Sequence, residues 1–245
     1  MKTYINPERE SWNEILKRPT QSFEQIEQTV SEIFTDIIRN KDKAVAKYTQ
    51  FFDGVFINNF QISEQEIELG IEQVSSDLKQ AISLAKGNIE TFHKAQLTQK
   101  LEIETTPGVI CWQQKRAIEK VGIYIPGGSA PLFSTVLMLA IPAQIAGCKD
   151  IVLCTPPDKN GNVNPAILYA AKLCGVTKIY RVGGIQAIAA LTFGTETIPK
   201  VNKIFGPGNQ YVTVAKQKAT QFGVAIDMPA GPSELLVFAD ETCNT

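Results

Sequence analysis

The sequence predicts an α/β fold, a parallel sheet preceded by a helical region, and three observations carry that prediction. From Val121 onward short apolar runs alternate with segments of 3.6-residue apolar period, the pattern of strands joined by crossover helices. Thirteen of the 17 glycines and ten of the 13 prolines lie in that same part, so turn-forming residues punctuate it at every change of element. The first hundred residues instead carry long amphipathic stretches with few breaks. The chain is accordingly divided into a helical region with short β segments over 1–104, an α/β domain with a parallel sheet over 105–232, and the first strand of a further domain over 233–245.

Taken in order, Phe23, Ile26, Val30, Ile33, Phe34, Ile37 and Ile38 recur at helical spacing behind Ser22, which is placed as an N-cap. A second helical segment over 42–52 ends before Gly54. Ser63 to Glu66 reads S-x-x-E, in which the serine side chain takes the third amide and the glutamate returns a bond to the serine amide. Another amphipathic helix covers 77–92. From Thr105 the pattern turns to β-rich runs at 109–113 and 121–125. Helices then fall at 133–146, 165–174, 186–193 and 209–222, between strands at 151–154, 178–182, 203–205, 224–226 and 235–239. Right-handed crossovers put every strand-to-helix loop on one edge of the sheet.

Composition excludes several classes. Lys plus Arg number 24 against 25 Asp plus Glu, a net charge of -1, so no bulk charge draws the chain to nucleic acid or to a membrane surface. With 44% hydrophobic and 20% charged residues it is neither disordered nor fibrous. The stretch between Lys120 and Lys149 has no formal charge, but Pro126, Gly127, Gly128, Pro131 and Pro142 interrupt it, which a spanning helix of roughly 20 residues does not tolerate. The N-terminus has no apolar core of the signal-peptide kind, and a cytoplasmic location is expected. Cys111, Cys148, Cys154, Cys174 and Cys243 show no C-x-x-C spacing and read as reduced, mostly buried thiols.

Ligands of open α/β sheets bind beyond the carboxyl ends of the strands, so the loops there are the informative part. Four stand out: 124–131 (YIPGGSAP), 183–186 (GGIQ), 205–209 (FGPGN) and 228–233 (MPAGPS). Glycines let backbone amides approach a phosphate closely, and a following helix N-terminus adds partial positive charge. A nucleotide or dinucleotide fits that design; so do plain tight turns. The dinucleotide fingerprint G-x-G-x-x-G is not completed, because Tyr211 stands where its third glycine belongs, and neither a P-loop nor a G-x-S-x-G nucleophile elbow occurs.

The runs VGIYIPGGSAPLFSTVLMLAIPAQIAG (121–147), VGGIQAIAALTFGT (182–195), KIFGPGN (203–209) and AIDMPAGPSE (225–234) resemble, in order and spacing, the successive signatures of histidinol dehydrogenase. That resemblance implies paired, incomplete Rossmann-like domains, a zinc-dependent homodimer, and oxidation of L-histidinol through the aldehyde to L-histidine with two NAD. It puts NAD contacts on Tyr124, Gln186 and Asn209 and a histidinol contact on Ser233. An aromatic ring can flank a nucleotide base, and carboxamides offer a donor and an acceptor to ribose or phosphate oxygens. Two plainer readings stay open: Tyr124 as a strand-end core aromatic, and Asn209 as the cap of the helix that follows.

The family's polypeptides continue past the last strand into a QAEHG motif that supplies zinc ligands, and their remaining ligands and Glu-His acid-base pair also follow it. The expectation is therefore an N-terminal fragment, inactive alone, that binds no zinc. A catalytic zinc takes about three protein ligands, whereas the sequence holds one histidine, His93, read as a surface or helix-packing residue. Cys154, at a strand end, is the best-placed thiol for an alternative thiohemiacetal route, with no neighbouring base to activate it. The competing functions are a stand-alone nucleotide-binding module and a subunit that only lends a dimer surface.

Overall fold

The computed structural model describes residues 3–16, 23–128, 130–229 and 236–243. After a short helix α1 (Trp12–Ile15), α2 (Phe23–Asp53) runs through a sharp break at Lys41, where φ is 49° and ψ is -128°. The two helical segments of the sequence meet at this break. It is held from outside: the Lys41 ammonium donates to the Gly194 carbonyl at 3.3 Å, and the Asp42 amide donates to Glu196 at 3.0 Å. The proposed cap Ser22 lies outside the described residues. Next come α3 (Glu64–Glu72) and α4 (Ser76–Ala95). The predicted capping box at the head of α3 is present, with the Glu66 amide donating to Ser63 Oγ at 3.2 Å and the Ser63 amide donating to Glu66 at 2.8 Å.

An antiparallel hairpin follows, β1 (Leu101–Thr106) and β2 (Val109–Gln113). Its first strand falls before the β-rich pattern was expected to begin, although Leu101, Ile103 and Thr105 alternate with glutamates and Pro107-Gly108 forms a turn, with Gly108 at φ 83°. All the later elements belong to one α/β unit: β3 (Lys120–Tyr124), α5 (Phe133–Ile145), β4 (Asp150–Thr155), α6 (Pro165–Leu173), β5 (Lys178–Arg181), α7 (Gly184–Phe193), β6 (Lys203–Phe205), α8 (Gln210–Thr220) and β7 (Ala225–Ile226). The five strands β3 to β7 form a parallel sheet in the order β5-β4-β3-β6-β7. β3 is its centre and the point where the winding reverses.

Both faces of the sheet are covered, which explains the nearly continuous apolar strands. Tyr124, Val152, Cys154 and Tyr180 face a core shared with α2, α7 and α8, to which Ile26, Val30, Ile33, Phe34 and Ile37 contribute. Ile123, Leu153 and Ile179 face the opposite core, under α3, α4, α5 and α6. Helix α2 thus closes one face of the sheet, and Phe34 sits edge-on to Phe193 with centroids 5.5 Å apart. Residues 60–62 lie along the outer edge of β5, the Ile62 amide donating to the Ile179 carbonyl and the Arg181 amide to the Phe60 carbonyl. That edge is therefore paired.

Residues 236–240 form no strand, contrary to the expectation for 235–239. An interior strand needs neighbours to complete its ladder, and no described strand lies beside this segment; Leu236, Val237 and Phe238 are largely exposed. The long uncharged stretch is divided between β3, its loop and the 13-residue α5, and among the described residues no helix is long and apolar enough to cross a membrane.

Candidate functional site

Because every strand of the sheet is parallel, the loops after β3, β4, β5 and β6 gather on one edge. Their glycines answer first to packing. A Cβ on Gly127 would stand 2.6 Å from Pro156, and one on Gly183 2.5 Å from the same ring, so the loops after β3 and β5 close on the proline that follows β4. Gly206, at φ 133°, lies against the Tyr124 backbone, and Gly208 against Val212. Among the described glycines of these loops, Gly128 alone faces open space.

Tyr124 ends β3 with its ring buried, 4% exposed, so the ring does not flank a base in this conformation as its residue type suggested. Its hydroxyl accepts the Gly184 amide at 3.1 Å, in the first turn of α7, and burial pushes the phenol up to about 12, keeping it neutral. Gln186, two residues on, is fully buried; its Nε2 donates to Asp53 at 3.2 Å while its Oε1 is buried with no donor. The fold therefore joins Tyr124, Gly184, Gln186 and Asp53 in one cluster, Asp53 arriving from the end of α2. Asn209 is exposed and caps α8, its Oδ1 accepting the Val212 amide at 3.1 Å. Its loop abuts the cluster through Gly206. Ser233 lies outside the described residues.

Two hollows open on this edge. The larger, about 530 Å³, lies between the loops after β3 and β4 and helices α3 and α6, and includes Gly128, Thr155 and Arg181. Arg181 is pinned by an ion pair to Glu66 and donates to the Gly161 carbonyl at 3.1 Å, while its Nε is buried without a partner. The smaller, about 160 Å³, lies under 206–208. Neither is lined by Tyr124, Gln186 or Asn209.

Asp53 was passed over in the sequence, where it marks only the last position before a helix-ending glycine. Burial raises its carboxyl from the ordinary 3.8 to about 6. The folded chain thus favours the neutral acid: the contribution of this group is complete below pH 4 and is lost as pH rises through 6. Allowing for its partial exposure, the loss is about 1–2 kcal/mol. Asp53→Asn is expected to melt higher than the parent at pH 8 and with it at pH 4; a difference independent of pH contradicts the assignment.

Cys154 is fully buried and burial pushes its thiol well above the ordinary range, which removes it as a nucleophile. The cysteines are all free, but only Cys154 and Cys174 are buried; Cys111 and Cys243 are exposed. His93 lies on α4, its ring hydrogen-bonded to Gln96 at 2.7 Å.

Sequence comparison decides the family. The profile of histidinol dehydrogenase matches residues 16–245. The chain belongs to the histidinol dehydrogenase family. Histidinol dehydrogenase of Bacteroides fragilis is 59% identical over 244 residues, all of this chain and 57% of that protein; the Escherichia coli K12 enzyme is 53% identical over 234 residues, 94% of this chain and 53% of that protein. The crystal structure of histidinol dehydrogenase from Elizabethkingia anophelis superposes with a TM-score of 0.86 at 60% identity, covering 100% of this chain and 56% of that one. The chain thus spans somewhat over half the length of the relatives it matches. Histidinol dehydrogenases are oxidoreductases of histidine biosynthesis, and the parallel α/β sheet is the fold of that solved relative.

Proposed function

We propose that this chain is the NAD-binding part of a histidinol dehydrogenase, the enzyme that converts L-histidinol to L-histidine with two NAD, and that alone it does not turn over. The observation that carries the cofactor reading is Gln186: a buried carboxamide oxygen without a donor, beside the first turn of a helix at the carboxyl edge of a parallel sheet. An unpaired buried acceptor is unfavourable by about 1–3 kcal/mol, and a bound hydroxyl relieves it. In this reading Gln186 keeps its Nε2 on Asp53 while its Oε1 accepts from a ribose hydroxyl of NAD. Tyr124 holds the α7 amide that fixes the turn, Asn209 offers its amide from the neighbouring loop, and Ser233 meets histidinol. NAD supplies the hydride acceptor.

The described residues do not fit zinc: no three His, Cys, Asp or Glu side chains among them form a group able to hold a metal. In this reading zinc and the homodimer belong to the longer protein.

NAD titration by NMR or calorimetry tests the cofactor assignment. A chain that spans 57% of a relative's length is expected to bury less of the ligand than the usual 70–90%, with a dissociation constant of about 0.1 mM or weaker. Gln186→Met keeps the volume and Asn209→Asp keeps the cap; each is expected to weaken binding about fivefold. Measurable binding that neither substitution weakens overturns the assignment.

A further inference from the structure

We propose that Lys216 and Asp227 form an ion-pair clamp that positions the 206–209 loop, and with it Asn209, at the mouth of the cofactor site. The clamp deepens the cofactor reading of Asn209 and rests on it. Lys216 lies on the inner side of α8, and its side chain is 7% exposed. Its ammonium donates to the Gly206 carbonyl at 2.7 Å and pairs with the Asp227 carboxylate. The other Asp227 oxygen accepts the Gly206 amide at 2.8 Å. Opposite charges thus hold both peptide groups of one residue, and they come from two elements: α8, and the segment after β7 that leads toward Ser233.

Two features argue for positioning rather than mere stability. Beneath 206–208 is the hollow of about 160 Å³, with Lys216 and Asp227 among its walls; side-chain packing does not fill the space on that side of the loop, and there the charges hold it. A buried ion pair is, moreover, weak as a source of stability, because apolar residues of similar volume often replace it without loss. This pair grips the peptide three residues before Asn209 and so acts on the geometry of the loop.

The test compares the parent chain with Lys216→Met, Lys216→Arg and the double variant Lys216→Met with Asp227→Leu. It reads native-state amide exchange at Gly206 and Gly208 and the dissociation constant for NAD. Exchange is expected to quicken at least tenfold, and NAD binding to weaken at least fivefold, in Lys216→Met and in the double variant. Both should return to within about twofold of the parent in Lys216→Arg, whatever the melting temperatures do. Should Lys216→Met fail to fold, the double variant and Asp227→Asn carry the same readouts. Unchanged exchange in a folded variant overturns the clamp, and faster exchange with unchanged NAD affinity overturns its role in positioning. If the parent chain binds no NAD at all, the cofactor reading falls, and exchange alone then decides whether the clamp exists.

Discussion

Alanine at Gly206 is expected to lower the unfolding free energy by roughly 3–5 kcal/mol, the range reserved for substitutions that break a backbone requirement. Two independent causes act there. The residue has φ 133°, which an L side chain rarely adopts, and a Cβ would overlap the Tyr124 carbonyl oxygen and come within 3.0 Å of the Tyr124 carbonyl carbon and amide nitrogen. Those atoms are backbone of β3, which is hydrogen-bonded to β4 on one side and β6 on the other, so they cannot give way. Gly128→Ala is the control: with open space around it, the change should stay within about 0.5 kcal/mol. Urea unfolding of both variants decides it, and a Gly206→Ala chain within 1 kcal/mol of the parent contradicts the geometry described for this loop.

The second large effect is on chemistry. Taking hydride from an alcohol requires a base for the hydroxyl proton, and the second oxidation requires an activated water to hydrate the aldehyde. Among the described residues the titratable groups near the site are ill placed for either task. Tyr124 is neutral and its oxygen is occupied by the Gly184 amide. Asp53 is bonded to Gln186, Cys154 is sealed in the core, and Lys216 and Asp227 are tied to each other and to Gly206. The one histidine is on α4 and bonded to Gln96. Binding geometry without a positioned base leaves the step near its uncatalysed rate, and general acid-base participation alone is worth about 10²–10⁴.

The sequence shows most of the sheet because its strands are short, apolar and bounded by glycine or proline: 151–154 falls within β4 and 203–205 is β6. It misses β1, whose residues alternate cleanly but are exposed on both faces, so no burial signal marks them. It also places a strand at 235–239 from apolar content alone, and a strand exists only with neighbours to bond. In the site, motif and resemblance single out Tyr124, Gln186 and Asn209, and the two plainer readings the sequence left open, Tyr124 as a strand-end core aromatic and Asn209 as the cap of α8, are what the folded chain shows. Asp53, Lys216 and Asp227 are missed in the sequence because each gains meaning from a partner that only the folded chain brings to it: Asp53 from Gln186, 133 residues away, and the other two from Gly206, 10 and 21 residues away on other elements.

Under the proposed function, this chain carries the cofactor edge of a histidinol dehydrogenase without the groups that move its protons. This is tested most directly by following NADH absorbance in a solution of the purified 245-residue chain with NAD, zinc and L-histidinol. The account predicts no histidinol-dependent NADH formation above the protein-free rate. Turnover of roughly 1 per second, an ordinary enzyme value, would contradict it and place a complete catalytic set within these 245 residues.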